Sequence, residues 1–319
     1  MAAAIAYFRE RPRVTKALQA VLVLATIGFC VWGVRDEWSK AGPRLADANI
    51  TDLVIAFAFI AVYYLVFILG WIRMLAAWEI KVSYRVALQA EMVSMLAKYL
   101  PGGVWTPAAR AVALRRNAGV TDTPTVLASI LVEAALSAIS GVIVFIASLT
   151  WVRGVNAPWP LIVAFGLLLT AAIHPRIFRP LSARILKPFG ASVEPLPTGL
   201  TGALLLFYCG TWIVGGFGLY FLVRSVGANP GLSTVAFLGG VSAVGAIVAV
   251  LAVFTPSGLG LREASMYGLL LAVTSAGPAL GATLLNRLVI TIVEVALFAV
   301  GVVSWRTAKT RPALQGDEP

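Results

Sequence analysis

"KYLPGGVWTPAAR" (98–110) breaks an apolar run with Pro101, Gly102 and Gly103 and sets one cation on each side, Lys98 before and Arg110 after. Proline removes a helical hydrogen bond and glycine loosens the backbone, so a helix stops here. A second break, "TPSGLGLRE" (255–263), carries Pro256, Gly258 and Gly260 ahead of Arg262 and Glu263. It falls about as far along the second half of the chain as the first break does along the first. These two interruptions decide the fold because most of the remaining sequence is hydrocarbon-like. Of 319 residues, 60% are hydrophobic and 12% charged, with a mean hydropathy of +0.90. Soluble domains carry about 25% charge, so composition alone makes this an integral membrane protein, and the apolar runs below read as an all-α one.

Apolar segments long enough to cross about 30 Å of hydrocarbon are residues 17–34, 52–78, 124–150, 157–173, 199–223 and 278–305. Two stretches beside the first break are too short for that template. Residues 86–100 give roughly 22 Å of helix and contain Glu91 and Lys98; residues 106–119 carry Arg110, Arg115 and Arg116. Residues 225–261 hold no charge and would make roughly 55 Å as one helix, so breaks are expected at Gly239–Gly240 and at 255–260. Short interrupted helices that return to their own side are re-entrant hairpins, tolerated where protein or a water-filled cavity covers them.

With six spans, two hairpins and the N-terminus inside, fourteen Lys and Arg flank the cytoplasmic ends against five on the other side. That asymmetry predicts cytoplasmic N- and C-termini. The chain reads as one polytopic domain, 1–319, made of two halves, 1–154 and 155–319, each with two spans, an interrupted hairpin and one span. Three spans per half is odd, so the second copy is expected upside down, an inverted repeat whose matching broken helices point to a midplane site. The last span of each half also repeats a polar stripe. Ser129, Glu133, Ser137 and Ser140 lie on one helical face, and so do Thr283, Arg287, Thr291 and Glu294.

Eight charges fall in spans or hairpins: Glu91, Lys98, Arg110, Glu133, Arg262, Glu263, Arg287 and Glu294. Facing lipid near the bilayer centre, they would cost on the order of 20–28 kcal/mol, at about 2.5–3.5 kcal/mol each. They must therefore face one another, the interface or a hydrated cavity. A helix restarting after either break offers unpaired N–H groups and a positive dipole end suited to phosphate. Arg110 and Arg262, just downstream, can grip a phosphate bidentately, with Glu133 and Glu294 pairing those arginines or an amine. The bland reading is that the same charges are ion pairs fastening helices together.

The excess of Lys and Arg, 25 against 14 Asp and Glu, is read as loops facing anionic lipid; no nucleic-acid partner is expected. Cys30 and Cys209 sit in apolar runs as packing residues, and the sole histidine, His174, stands in an "HPR" loop. No metal site, cofactor or catalytic set is expected. The basic N-terminus before residues 17–34 lacks an A-x-A site, and Phe29 before Cys30 is too large for a lipobox, so an uncleaved first span is expected. "GGFG" (215–218) is read as close helix packing, Trp38, Trp151, Trp159 and Trp305 as interfacial anchors, and "NIT" at Asn49 as a glycosylation sequon.

Taken together, "KYLPGGVW…R" (98–110), Gly119, Glu133 and "PSGLGLREASMYGLL" (256–270) resemble the flippase-like membrane family typified by the transmembrane part of bacterial lysylphosphatidylglycerol synthase. The resemblance covers essentially the whole chain. It implies movement of a lipid headgroup between leaflets of a bacterial-type plasma membrane, with Lys98, Arg110, Glu133, Arg262 and Glu263 at the matching positions. The stripe residues Arg287 and Glu294 join them as candidate substrate-binding residues. The implied cargo is an anionic phospholipid, an aminoacylated phospholipid or a polyprenyl-linked sugar. The soluble catalytic domain of the aminoacylating enzyme has no counterpart in 1–319, so synthase activity is not expected. The alternatives are a membrane-embedded lipid-modifying transferase, or an accessory subunit partnering such an enzyme. A homodimer is left open.

Overall fold

The computed structural model describes residues 46–97, 105–152, 154–155, 159–186, 193–252 and 258–309. The expected first span (17–34), Cys30, Trp38, Lys98, Pro101, Gly102, Gly103 and Pro256 lie outside the described residues. Every regular element within them is helical: α1 (Ile50–Ala77), α2 (Tyr84–Ala97), α3 (Trp105–Ala118), α4 (Thr123–Ser148), α5 (Trp159–Ile173), α6 (Pro175–Leu186), α7 (Thr198–Ser225), a 3-10 turn (Leu232–Thr234), α8 (Val235–Leu251), α9 (Leu261–Leu270) and α10 (Ala276–Lys309). Five stretches are long and apolar enough to cross a membrane, namely α1, α4, α7, Leu232–Leu251 and Ala276–Gly301; α5 with α6 adds a sixth if that bent pair counts as one. The chain is a multi-pass helical membrane protein.

Local chemistry sets where the helices start. Asn49 caps α1, its Oδ1 accepting from Asp52 N at 3.1 Å, so the asparagine of the sequon serves as an N-cap. Asp122 caps α4 in the same way through Thr125 N at 3.1 Å, with proline in the first turn. Gly119, at φ 66°, closes α3 with the left-handed turn that favours glycine.

Two expectations are corrected. Gly239–Gly240 does not break a helix; α8 runs unbroken through both. Their small size serves packing instead. A Cβ on Gly239 would overlap the carbonyl oxygen of Trp212 in α7, and one on Gly240 would come within 2.7 Å of the Phe145 Cα in α4. Gly216 of "GGFG" meets α8 in the same way, against the Val235 carbonyl and Gly239 N, as expected for a small-residue helix crossing. The second correction concerns the segment after 157–173. His174–Pro175 is a bend of 75° between α5 and α6, and the basic stretch beyond it is helical.

The two interrupted segments differ in their arms. Around the first break, α2 and α3 have 14 residues each, about 21 Å of helix. Around the second, the 20 residues of Leu232–Leu251 reach about 30 Å, a full hydrocarbon thickness, whereas α9 has 10 residues, about 15 Å.

The apolar core is divided along α1. Leu53, Ala56 and Ile60 pack with α7, α8, α9 and the first part of α10. Ile68, Trp71, Met74 and Leu75 pack with α2, α3 and the first part of α4. The α2–α3 pair therefore engages one end of α1 and the α8–α9 pair the other.

Candidate functional site

Arg110 arises in the second turn of α3 and is only 4% exposed. Two carboxylates meet it. Its Nη2 pairs with Glu91 of α2, and its Nη1 donates to Glu133 Oε2 of α4 at 2.5 Å. The guanidinium carbon lies 4.5 Å from the ring centroid of Trp71 in α1, a cation–π stack. Trp71 is held in turn by its Nε1, which donates to Ser129 Oγ at 2.8 Å. From α7, Tyr208 donates to the second oxygen of Glu133 at 3.4 Å. Room for that tyrosine comes from Gly70, where a Cβ would overlap the phenol oxygen. Four helices besides α3 thus converge on one cation, yet Arg110 Nε is buried without a hydrogen-bond partner among the described residues.

The second cluster is built on α9, α10 and α1. At the start of α9, Glu263 accepts from Gly260 N at 2.7 Å through Oε2 and from Arg287 Nη1 at 3.4 Å through Oε1. One carboxylate therefore satisfies the first free N–H at the start of α9 and ties α9 to α10. The helix N-terminus expected to receive a phosphate already carries this internal anion. Gly258 and Gly260, at φ 71° and 84°, make the turn into α9, and a Cβ on Gly258 would overlap Ala249 of α8. Glu294, 1% exposed, accepts from the Tyr64 hydroxyl at 2.5 Å. Arg262 is half-buried beside Gly245 and, among the described residues, has no carboxylate within ion-pair distance.

A run of aromatic rings joins the clusters through the middle of α1: Tyr208, Phe67, Tyr63 and Tyr64, with successive ring centroids 4.9, 5.6 and 5.4 Å apart. Tyr208 donates to Glu133 at one end of the run and Tyr64 to Glu294 at the other. Both polar stripes read from the sequence point inward, every one of their eight members being buried. Arg110, Glu133, Arg262, Glu263, Arg287 and Glu294 thus belong to two linked clusters around α1. Sequence reasoning counted Glu91 among the embedded charges without making it a site residue, and it missed Trp71, Tyr63, Tyr64 and Tyr208 altogether. Adjacent tyrosines in the middle of an apolar span were the signal, because a phenol hydroxyl there needs a partner. Cys209 is half-buried in α7, its sulfur 3.7 Å from the Ser140 carbonyl, in keeping with a packing role.

A family model described as lysylphosphatidylglycerol synthase TM region matches residues 17–297. A comparison with curated proteins finds no match.

Proposed function

Since the chain belongs to the lysylphosphatidylglycerol synthase transmembrane family, a membrane family linked to lipid handling, we propose that it moves a polar lipid headgroup between leaflets through the charged centre around Tyr63 and Tyr64. One observation carries this reading: two ionic clusters, one beside each interrupted segment, are joined by a single run of aromatic rings along α1 inside an apolar bundle. Desolvating so many charges is costly, and a purely structural need would be met as well by apolar packing. The headgroup enters between the clusters while its acyl chains stay in the bilayer.

Arg262 is the cation best placed to receive phosphate, because Arg110 and Arg287 already hold carboxylates. Glu294, Glu133 and Glu91 are the counterparts for an ammonium on the headgroup and the candidate proton carriers for coupling. In the present conformation Arg110, Glu133, Arg287 and Glu294 are each 4% exposed or less, an occluded arrangement. Access follows from inverted halves rocking against each other. In this view α2–α3 enters from the cytoplasmic face and α8–α9 from the opposite one, with both termini inside. The division of the core along α1 supports it. Lys98, Pro101, Gly102, Gly103 and Pro256, outside the described residues, belong to the proposal by their sequence at the two breaks. The cargo is an anionic phospholipid, an aminoacylated phospholipid or a polyprenyl-linked sugar.

Proteoliposomes holding a headgroup-labelled fluorescent lipid and an impermeant quencher test this directly. Purified protein is expected to expose inner-leaflet label, and Arg262→Gln to slow that exposure while leaving the folded protein intact. Unchanged translocation in an Arg110→Gln/Arg262→Gln double variant would remove the site. A second reading is favoured by the pairing itself: Arg110 and Arg287 both hold carboxylates, as they would in a structural accessory subunit. That reading predicts no translocation by the purified protein and co-purification of a lipid-modifying enzyme.

A further inference from the structure

The two central clusters differ in charge balance. In the second, Arg262 and Arg287 stand with Glu263 and Glu294, two cations for two carboxylates. In the first, the single guanidinium of Arg110 meets both Glu91 and Glu133, through Nη2 and Nη1. All three side chains are 9% exposed or less, and among the described residues no other cation lies within ion-pair distance of either glutamate. The other groups facing the pair are an indole and two phenols: Trp71 of α1 over the guanidinium, Tyr208 of α7 on Glu133, and Tyr63 of α1 further along the ring run. Against α2, α10 brings Gly301 to Met92, the neighbour of Glu91. Fully ionised, this set would keep one uncompensated negative charge out of water. Burying such a charge is costly enough that a carboxylate takes up a proton instead.

We propose that Glu91 and Glu133 bind one proton between them across Arg110, a protonation site without a counterpart in the second cluster. Both oxygens of Glu133 are met by donors, Arg110 at 2.5 Å and the Tyr208 hydroxyl at 3.4 Å, which favours its ionised form. The Glu91 carboxyl has Arg110 alone among the described residues, so the proton rests on Glu91. The transport reading leaves three carboxylates as proton carriers; charge balance selects this pair. Taken from water, the proton keeps the contact of α2 and α3 with α4 dry. Returned to water, it restores the excess charge and favours a hydrated, open arrangement. That use in coupling rests on the transport reading, whereas the bound proton does not.

Infrared spectroscopy of the full chain in dodecyl maltoside, at neutral pH with choline as the buffer cation, tests this. A buried protonated carboxyl shows a C=O band that shifts on exchange into heavy water. Glu91→Gln and Glu133→Gln are each expected to abolish one and the same band, because a single carboxylate then balances Arg110. An ordinary buried acid would be lost with its own substitution only. Neither variant is expected to unfold at a lower temperature than the parent, whereas two ionised partners of Arg110 would each be missed. Glu263→Gln keeps the band, and Tyr208→Phe leaves its frequency unchanged, since the acid is Glu91. Absence of the band from the parent, or its survival in either glutamine variant, would overturn the assignment. So would a band that appears only in Lys98→Gln, which makes Lys98 the missing cation, or one that sodium abolishes, which makes a metal ion the counter-charge. No lipid movement enters the measurement, so its failure is separable from failure of the transport reading.

Discussion

At the scale of single residues, the energetics of Arg110 dominate. One guanidinium satisfies two carboxylates in an apolar surrounding, so removing it leaves Glu91 and Glu133 facing each other without a cation. Breaking a buried ion pair from one side costs about 3–5 kcal/mol. Arg110→Met is therefore expected to lower the thermal unfolding temperature sharply in detergent. Arg110→Met combined with Glu91→Gln and Glu133→Gln is expected to recover most of that loss, because no unpaired charge is left. If the triple variant is as unstable as the single one, the ion-pair account is wrong. Tyr64→Phe is a gentler change of the same kind. Glu294 loses the hydroxyl it accepts from at 2.5 Å, and a lost buried hydrogen bond costs about 1–3 kcal/mol. The same unfolding assay should show a smaller drop than for Arg110→Met, with no change in helix content by circular dichroism.

At the scale of elements, the sequence made the charged positions legible because charge in an apolar run has few explanations. It was far less informative about helix continuity. "GG" at 239–240 reads equally as a break or as a contact surface, and only the neighbouring α7 and α4 decide between them. Gly239→Ala is accordingly predicted to destabilise by about 1–3 kcal/mol, the usual cost of overpacking, since its Cβ overlaps the Trp212 carbonyl. Helix propensity alone would predict the opposite sign, alanine being the better helix former. Thermal unfolding of this one variant separates packing from propensity. The helix α6 was hidden for a different reason: Pro175 and Pro180 and three arginines look like a loop when read one residue at a time. Its arrangement is amphipathic, with Ile177 and Leu181 exposed one turn apart while Ser182 is buried and donates to the Val193 carbonyl at 3.1 Å. Bent 75° from α5, it suits the interface plane. Spin labels at position 177 are expected to be accessible to oxygen and shielded from a water-soluble nickel chelate, with the reverse at Ala183, which is exposed and lies four residues after Arg179 and seven after Arg176, on their face of the helix.

At the scale of the whole molecule, the unequal arms of the two interrupted segments bear on how the bundle moves. The α2–α3 arms are matched and short, whereas Leu232–Leu251 is long enough to cross and its glycines lock it to α7 and α4. A long element fixed at its crossings is a poor candidate for the moving part. For the proposed rocking, the parts of the two halves expected to move most are then α2–α3 and the ten-residue α9, which carry Arg110 and Arg262. Alternating access also demands that residues now buried between the clusters become wettable from each face in turn. Ser137 and Thr291, both 7% exposed and on the two polar stripes, are suited to report it. Single cysteines there, with Cys30 and Cys209 replaced by serine, are expected to react slowly with an impermeant maleimide in resting proteoliposomes. Adding the transported lipid should raise the rate at both positions, and reagent supplied from either side of the membrane should reach each of them. Reactivity confined to one side at both positions would mean the charges line a one-sided vestibule, and translocation through this centre would be excluded.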